Sequence, residues 1–263
     1  MSDASSRTTD SDVVLIEDGD GVRLLTFNRP DSLNAFNQAL WCAVRDALVD
    51  AADDPAIRCV VLTGAGRAFT AGQDLTEMAD PSVFAPVEGA ERAEPGYRQL
   101  MPVIESFPKP LLAAVNGVGV GIGLTILPHC DIVFIAEGAR LKAPFVSLGV
   151  TTEASASLLL PATVGWQEAA LLLFTEPWID AAEAVRLKLA LRAVPDDALL
   201  DEIMVVARQI GSLAVAPLTT TKKLMLAARG TAVADTRLRE EAEFVKLVGA
   251  PENVAALESF LTK

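Results

Sequence analysis

Apolar positions recur along this chain in two rhythms. Over residues 12–17 and 22–28 they form short β-branched runs around Asp18-Gly19-Asp20-Gly21, which predicts two strands joined by a turn. Pro30-Asp31-Ser32 breaks the second run. From 35 to about 53 the spacing becomes helical, with Leu40, Val44 and Leu48 on one stripe. Residues 57–63 form another β-branched run, as a buried strand does, and end in Gly64-Ala65-Gly66. A helix predicted over 97–107 leads through Lys109-Pro110 to strands at 111–115 and 132–136, with a glycine-rich turn between them. Strands alternating with helices up to about residue 145 predict an α/β layer architecture. Beyond residue 153 the pattern is almost wholly helical: 154–163, 166–174, 181–187, 198–213, 217–228 and two segments past 234. Such a tail packs against itself or against another subunit.

Two stretches have no rhythm. Residues 1–11 are polar and acidic, unlike a signal or transit peptide, and predict a disordered tail. Residues 79–95, rich in Pro, Ala and Glu, predict a mobile loop of the kind that lies over a ligand site. With 263 residues, 51% of them hydrophobic, the chain can bury one large core. The predicted division is a core over 12–200 and a C-terminal helical region over 201–263.

A net charge of −13, from 35 acids against 22 bases, argues against nucleic acid or an anionic membrane as partner. It leaves room for a phosphorylated small molecule held by a local Lys or Arg cluster. Cys42, Cys59 and Cys130 are too widely spaced for a zinc site or a disulfide framework. No run reaches the ~18 apolar residues of a membrane span. A cytoplasmic protein is the expectation.

Candidate chemistry is sparse. His129, the one histidine, is either a base for Ser-His-Asp chemistry or a core residue. The run 144–161, PFVSLGVTTEASASLLLP, holds one ionisable side chain, Glu153. In such surroundings a carboxylate either serves a helix start behind a Thr151 or Thr152 cap, or sits desolvated in a pocket as a base. The turn Asn116-Gly117-Val118-Gly119-Val120-Gly121-Ile122-Gly123 fails the dinucleotide fingerprint. From Gly117, Gly119 or Gly121 the third glycine position falls on Ile122, Leu124 or Ile126. What remains is a run of amides at a helix start, suited to an anion or a developing oxyanion, or glycines that allow close packing. Arg67-Ala68-Phe69-Thr70-Ala71-Gly72-Gln73-Asp74-Leu75 offers a second approach to main chain.

In this order, LTFNRPDSLNAF, VVLTGAGRAFTAGQDL, KPLLAAVNGVGVGIGLTIL and CDIVFIA resemble the enoyl-CoA hydratase/isomerase (crotonase) superfamily, over about residues 14–223. The resemblance implies a crotonase (ClpP-like) α/β fold, a spiral of ββα turns with C-terminal helices that complete a homotrimer or hexamer. It implies a coenzyme A thioester as substrate, with no metal and no redox cofactor. It places the thioester carbonyl between the backbone amides of Gln73 and Ile122, flanked by Ala71, Gly72, Asp74 and Gly121. It lays Arg29 and Asn34 along the coenzyme A site and brings Lys222 or Lys223 towards the nucleotide phosphates.

The hydratases of this superfamily use two glutamates, and the matching positions here hold Thr125 and Phe145. Neither moves a proton near neutral pH. Pro144, Phe145, Leu148, Gly149, Glu153, Ser157 and Pro161 resemble instead the peroxisomal-type Δ3,Δ2-enoyl-CoA isomerases, where the matching glutamate is the single base. Thr152 and Ala156 depart from that pattern. The rival readings are a hydratase or lyase using Asp74 or Glu77, and a weak paralogue that only binds acyl-CoA. At Lys188, where relatives place glycine, a side chain resists positive φ and leaves the local turn open.

Overall fold

The computed structural model describes residues 5–7, 13–78 and 96–261. Two sheets carry the core. The larger has seven strands: β1 (Ser5–Arg7), β2 (Val14–Gly19), β3 (Val22–Phe27), β4 (Cys59–Gly64), β6 (Leu111–Val115), β8 (Ile132–Ala136) and β11 (Arg192–Val194). The smaller has β5 (Ala68–Thr70), β7 (Val118–Val120), β9 (Arg140–Lys142) and β10 (Ile179–Asp180), in the order β10-β9-β7-β5.

β2 and β3 pair antiparallel through Asp20 and Gly21, both at positive φ, the geometry that matches hairpin twist. From β3 to β11 the large sheet is parallel. A parallel sheet is covered on both faces, so its strands are apolar throughout. β4 and β6 are accordingly buried at every residue.

The helices are α1 (Gln38–Asp53), α2 (Leu75–Met78), α3 (Gly96–Glu105), α4 (Ile122–Thr125), α5 (Ala156–Val164), α6 (Trp166–Thr175), α7 (Ala181–Arg186), α8 (Leu199–Gly211), α9 (Val215–Ala227), α10 (Gly230–Leu247) and α11 (Pro251–Leu261). α1 starts at Asn37, whose side chain accepts from the Leu40 N–H at 3.0 Å, and buries Leu40, Val44 and Leu48 as its stripe requires. β4 passes to β5 and then α2, and β6 passes to β7 and then α4. One strand in each sheet followed by a helix is the repeated ββα unit, and the crotonase fold is present.

Three expectations are corrected. Ser5–Arg7, within the supposed tail, add an edge strand to the exposed edge of β2. The rest of 1–11, Met1–Ala4 and Thr8–Ser11, and the loop 79–95 lie outside the described residues. The chain past 153 is almost wholly helical as expected, with the short β10 and β11 extending the two sheets. Lys188 does adopt positive φ (63°), with its N–H on Val185 O and that of Leu189 on Ala184 O closing the turn after α7. The boundary drawn at 200 falls inside α8, whose Ile203 and Ala207 are buried against the large sheet.

Candidate active site

Two loops meet at the carboxyl ends of β5 and β7. Gly72 lies at φ 94°, and a Cβ there would come within 2.8 Å of Val120 O and 3.9 Å of Gly121 Cα. Only glycine permits that approach, which sets the Gly72-Gln73 and Gly121-Ile122 peptides against each other. On either side of Gln73 the chain is fixed: Phe36 N–H donates to Gly72 O at 2.7 Å, and Asp74 N–H to Phe36 O at 3.0 Å. The Gln73 N–H itself has no acceptor among the described residues. Nor has that of Ile122, the first residue of α4, since a helix leaves its first amides unpaired. Two amides without an acceptor among the described residues therefore lie on loops that touch at Gly72 and Gly121, the elements from which an oxyanion hole is built.

The Gln73 side chain faces elsewhere and accepts from Trp41 Nε1 at 3.0 Å. A cavity of about 430 Å³ runs past Leu33, Ala71, Gly72, Gln73, Gly121 and Phe145 to Glu153. A second cavity, lined by Gln73, Met78, Tyr97, Glu153, Glu240 and Phe244, adjoins it. Glu153 lines both.

No hydrogen bond reaches the Glu153 carboxyl from the described residues. Burial, reinforced by the charge of Glu240, pushes its pKa up to about 8. Glu153 is not the acid of a helix start. α5 begins three residues later, at Ala156, and its first amides are met by Glu240, which accepts from Ser155 N (2.7 Å) and Ser157 N (2.8 Å). Around Glu153 the backbone is pinned twice more: Ala154 N–H donates to Tyr97 Oη at 2.8 Å, and His129 Nε2 meets Ala154 O at 2.8 Å. Burial lowers the His129 pKa to about 4, so the ring is neutral and structural rather than a base.

The enoyl-CoA hydratase/isomerase family profile matches residues 17–262. The chain belongs to the enoyl-CoA hydratase/isomerase family. It is 34% identical to the 1,2-epoxyphenylacetyl-CoA isomerase of Escherichia coli K12 over 245 residues, covering 92% of this chain and 93% of that one. It is 31% identical to the 2,3-dehydroadipyl-CoA hydratase of the same strain over 242 residues, 92% of each. A crystal structure of an enoyl-CoA hydratase/isomerase from Pseudoalteromonas atlantica T6c superposes with a TM-score of 0.89 at 34% identity, covering 95% of this chain and 97% of that one.

In this member of the hydratase/isomerase family, other residues expected at the site have different tasks. Asn34 is fully buried: it accepts from Arg29 N–H and donates to Ala65 O and Ala68 O, joining loops rather than meeting ligand. Arg29 pairs with Asp74 at 3.1 Å. Burial opposes ionisation of Asp74, but hydrogen bonds from Thr76 and Arg29 outweigh it and hold the carboxyl below its usual range. Asp74 is thus an ion-pair partner and helix cap, poorly suited to act as a base. Glu77 caps α1 by accepting from Gln38 N–H at 2.9 Å.

Lys222 does not face the cavity. Its ammonium is buried against Asp131, which leaves it no freedom to meet a phosphate. Lys223 is exposed in a separate groove beside Glu105 and Thr219. Thr125 is buried with its hydroxyl on Gly121 O, and Phe145 lines the cavity as an apolar wall. Tyr97, Glu240 and Phe244 carry no local sequence signal. They sit on predicted helices, and only packing brings them to Glu153.

Proposed function

We propose that the protein is a Δ3,Δ2-enoyl-CoA isomerase, moving a double bond from carbon 3 to carbon 2 of an acyl-CoA in fatty acid breakdown. One observation carries the reading. Glu153 is the single carboxyl in the lining of the 430 Å³ cavity, among the described residues, and it shares that lining with both amide-bearing loops.

The chemistry needs one acid. Glu153 as carboxylate takes a proton from carbon 2, the electron pair moves into the thioester, and a dienolate forms. Its negative charge falls on the thioester oxygen between the Gln73 and Ile122 amides, each typically worth ~3–4 kcal/mol in such a hole. The protonated Glu153 then returns a proton to carbon 4, which leaves the 2-enoyl product and the carboxylate restored. A pKa near neutrality suits a group that must both take and give a proton.

Adding water instead calls for a positioned water and a separate proton donor. The other acids lining the adjoining cavity are engaged, Glu240 by the α5 amides and Glu241 by Arg98 and Arg237. The relatives' names lean to hydratases, and the isomerase among them is of another kind, so the names do not carry this reading. The inventory of acids favours the isomerase.

The test is to offer trans-3-hexenoyl-CoA and follow the conjugated product, then crotonyl-CoA and follow loss of conjugation. Isomerisation that survives Glu153→Ala unchanged, or hydration as the faster reaction, sinks the reading. Binding of both without turnover makes the protein an acyl-CoA carrier. We also propose that copies associate through α9, which leaves Leu224 and Met225 exposed. Light scattering that finds only monomer would end that.

A further inference from the structure

The segment after Glu153 is strained. Ala154 and Ser155 both lie at φ 58°, consecutive left-handed residues with no glycine between them. A left-handed residue other than glycine is costly and persists only where its surroundings over-determine it. The surroundings here come from far along the chain. Glu240, on α10, is 6% exposed and accepts from the N–H of Ser155 and of Ser157 and from the Ser157 hydroxyl. The Ser155 hydroxyl donates to Val233 O at 2.9 Å, on the same helix.

Charges around Glu240 are arranged so that no cation reaches it among the described residues. Arg237 of α10 is held by Glu105 of α3 at 2.9 Å and by Glu241 at 2.6 Å. Arg98 of α3 pairs with Glu241 at 3.2 Å. Tyr97, the remaining titratable group of α3 at this place, lies beside Glu153 with its hydroxyl engaged by Ala154 N–H. Three dipolar donors favour the ionised Glu240 carboxyl, against burial and the charge of Glu105, which push its pKa above the usual carboxylate range. Glu240 faces the same small cavity as Glu153.

We propose that Glu240 is a positioning residue, which acts through the 153–157 turn to fix where the Glu153 carboxyl points and sets a second negative charge beside it. This deepens the isomerase reading and rests on it. Glu240 is not among the residues that line the larger cavity. It makes α10 part of the active site, so that the proton-transfer group is assembled only when the C-terminal region has docked. The charge contribution agrees in direction with the raised pKa of Glu153, in which burial comes first and Glu240 second.

The test uses the full chain with Glu240→Gln and Glu240→Asp, each checked for an intact melting transition. The protein is labelled with 13C at glutamate carboxyls and titrated by NMR, and the Glu153 signal is the one missing from Glu153→Gln. In Glu240→Gln the Glu153 midpoint falls, and kcat falls about tenfold with KM within twofold. In Glu240→Asp the charge stays but the reach is shorter, so kcat falls while the midpoint holds.

An unchanged midpoint and an unchanged kcat in Glu240→Gln overturn the proposal. So does a loss that lies wholly in KM or tracks melting temperature across both variants. The titration needs no substrate. If Glu153→Gln keeps full isomerase activity, the isomerase reading fails while the measured link between Glu240 and Glu153 still stands or falls on the midpoint.

Discussion

The two sides of this site are built in opposite ways. The oxyanion side is main chain: Gly72 and Gly121 let two loops touch, and the free amides of Gln73 and Ile122 follow from backbone geometry. The proton-transfer side is one side chain on a strained turn, held by Tyr97, His129 and Glu240 from three distant segments. The first side depends on where side chains are absent. The second depends on a few being present, at sequence separations of up to 85 residues.

Loss of the base gives the largest effect. Replacement of Glu153 by Gln lowers kcat for 3-enoyl-CoA isomerisation by about 10²–10⁴, the usual worth of a positioned base, with KM little changed. A loss under tenfold would mean that another group carries the proton. On the opposite side, Gly72→Ala lowers kcat by roughly 10²–10³, because its Cβ must displace Val120 O and with it an oxyanion donor.

Acidity comes next in size. The base acts as carboxylate, so kcat/KM rises about tenfold per pH unit and levels off above about 8, the value set by burial and Glu240. A plateau already reached at pH 6 would contradict a buried base. The same shift reaches stability. Because the folded state raises this pKa from 4.5 to about 8, it holds the proton more tightly than the unfolded chain does. The stability gained is complete below the unfolded value and is lost as pH climbs through about 8. Glu153→Gln cannot ionise, so its melting temperature exceeds that of the wild type by a margin that widens between pH 5 and 9. Calorimetry at both ends of that range checks the sign.

Smaller effects sharpen the contrast. Gln73→Ala retains its amide and costs less than tenfold in kcat, although it orphans the buried Trp41 N–H and lowers stability by about 1–3 kcal/mol. Thr152 Oγ1 is buried with no hydrogen-bond partner among the described residues. Thr152→Val therefore leaves stability unchanged or raises it by up to about 1 kcal/mol, measured by urea unfolding. A loss of 2 kcal/mol would reveal a partner for that hydroxyl.

Strands 111–115 and 132–136 matched their predicted bounds, because a parallel strand buried on both faces is an unbroken apolar run. The small sheet was not legible. β5, β7 and β9 have three residues each, too few to show a period, and β7 lies within a glycine-rich stretch that reads as a turn. Lys188 shows the same limit from the other direction: its backbone took the left-handed conformation that its side chain disfavours, since the hydrogen bonds closing α7 outweigh the cost.

By itself the sequence determined the layered α/β class, through residue type and short spacing. The two amide-bearing loops, the missing acids at Thr125 and Phe145, and Glu153 as the candidate base were legible only through the resemblance to the crotonase superfamily. Tertiary structure decided what surrounds them. It turned Asn34, Asp74 and Lys222 from ligand candidates into structural partners, made His129 a neutral clamp, and brought Glu240 to the turn beyond Glu153. A hydrogen bond between residues 155 and 240 leaves no mark on local periodicity, and a carboxyl's burial is set by elements that are close only once the chain has folded.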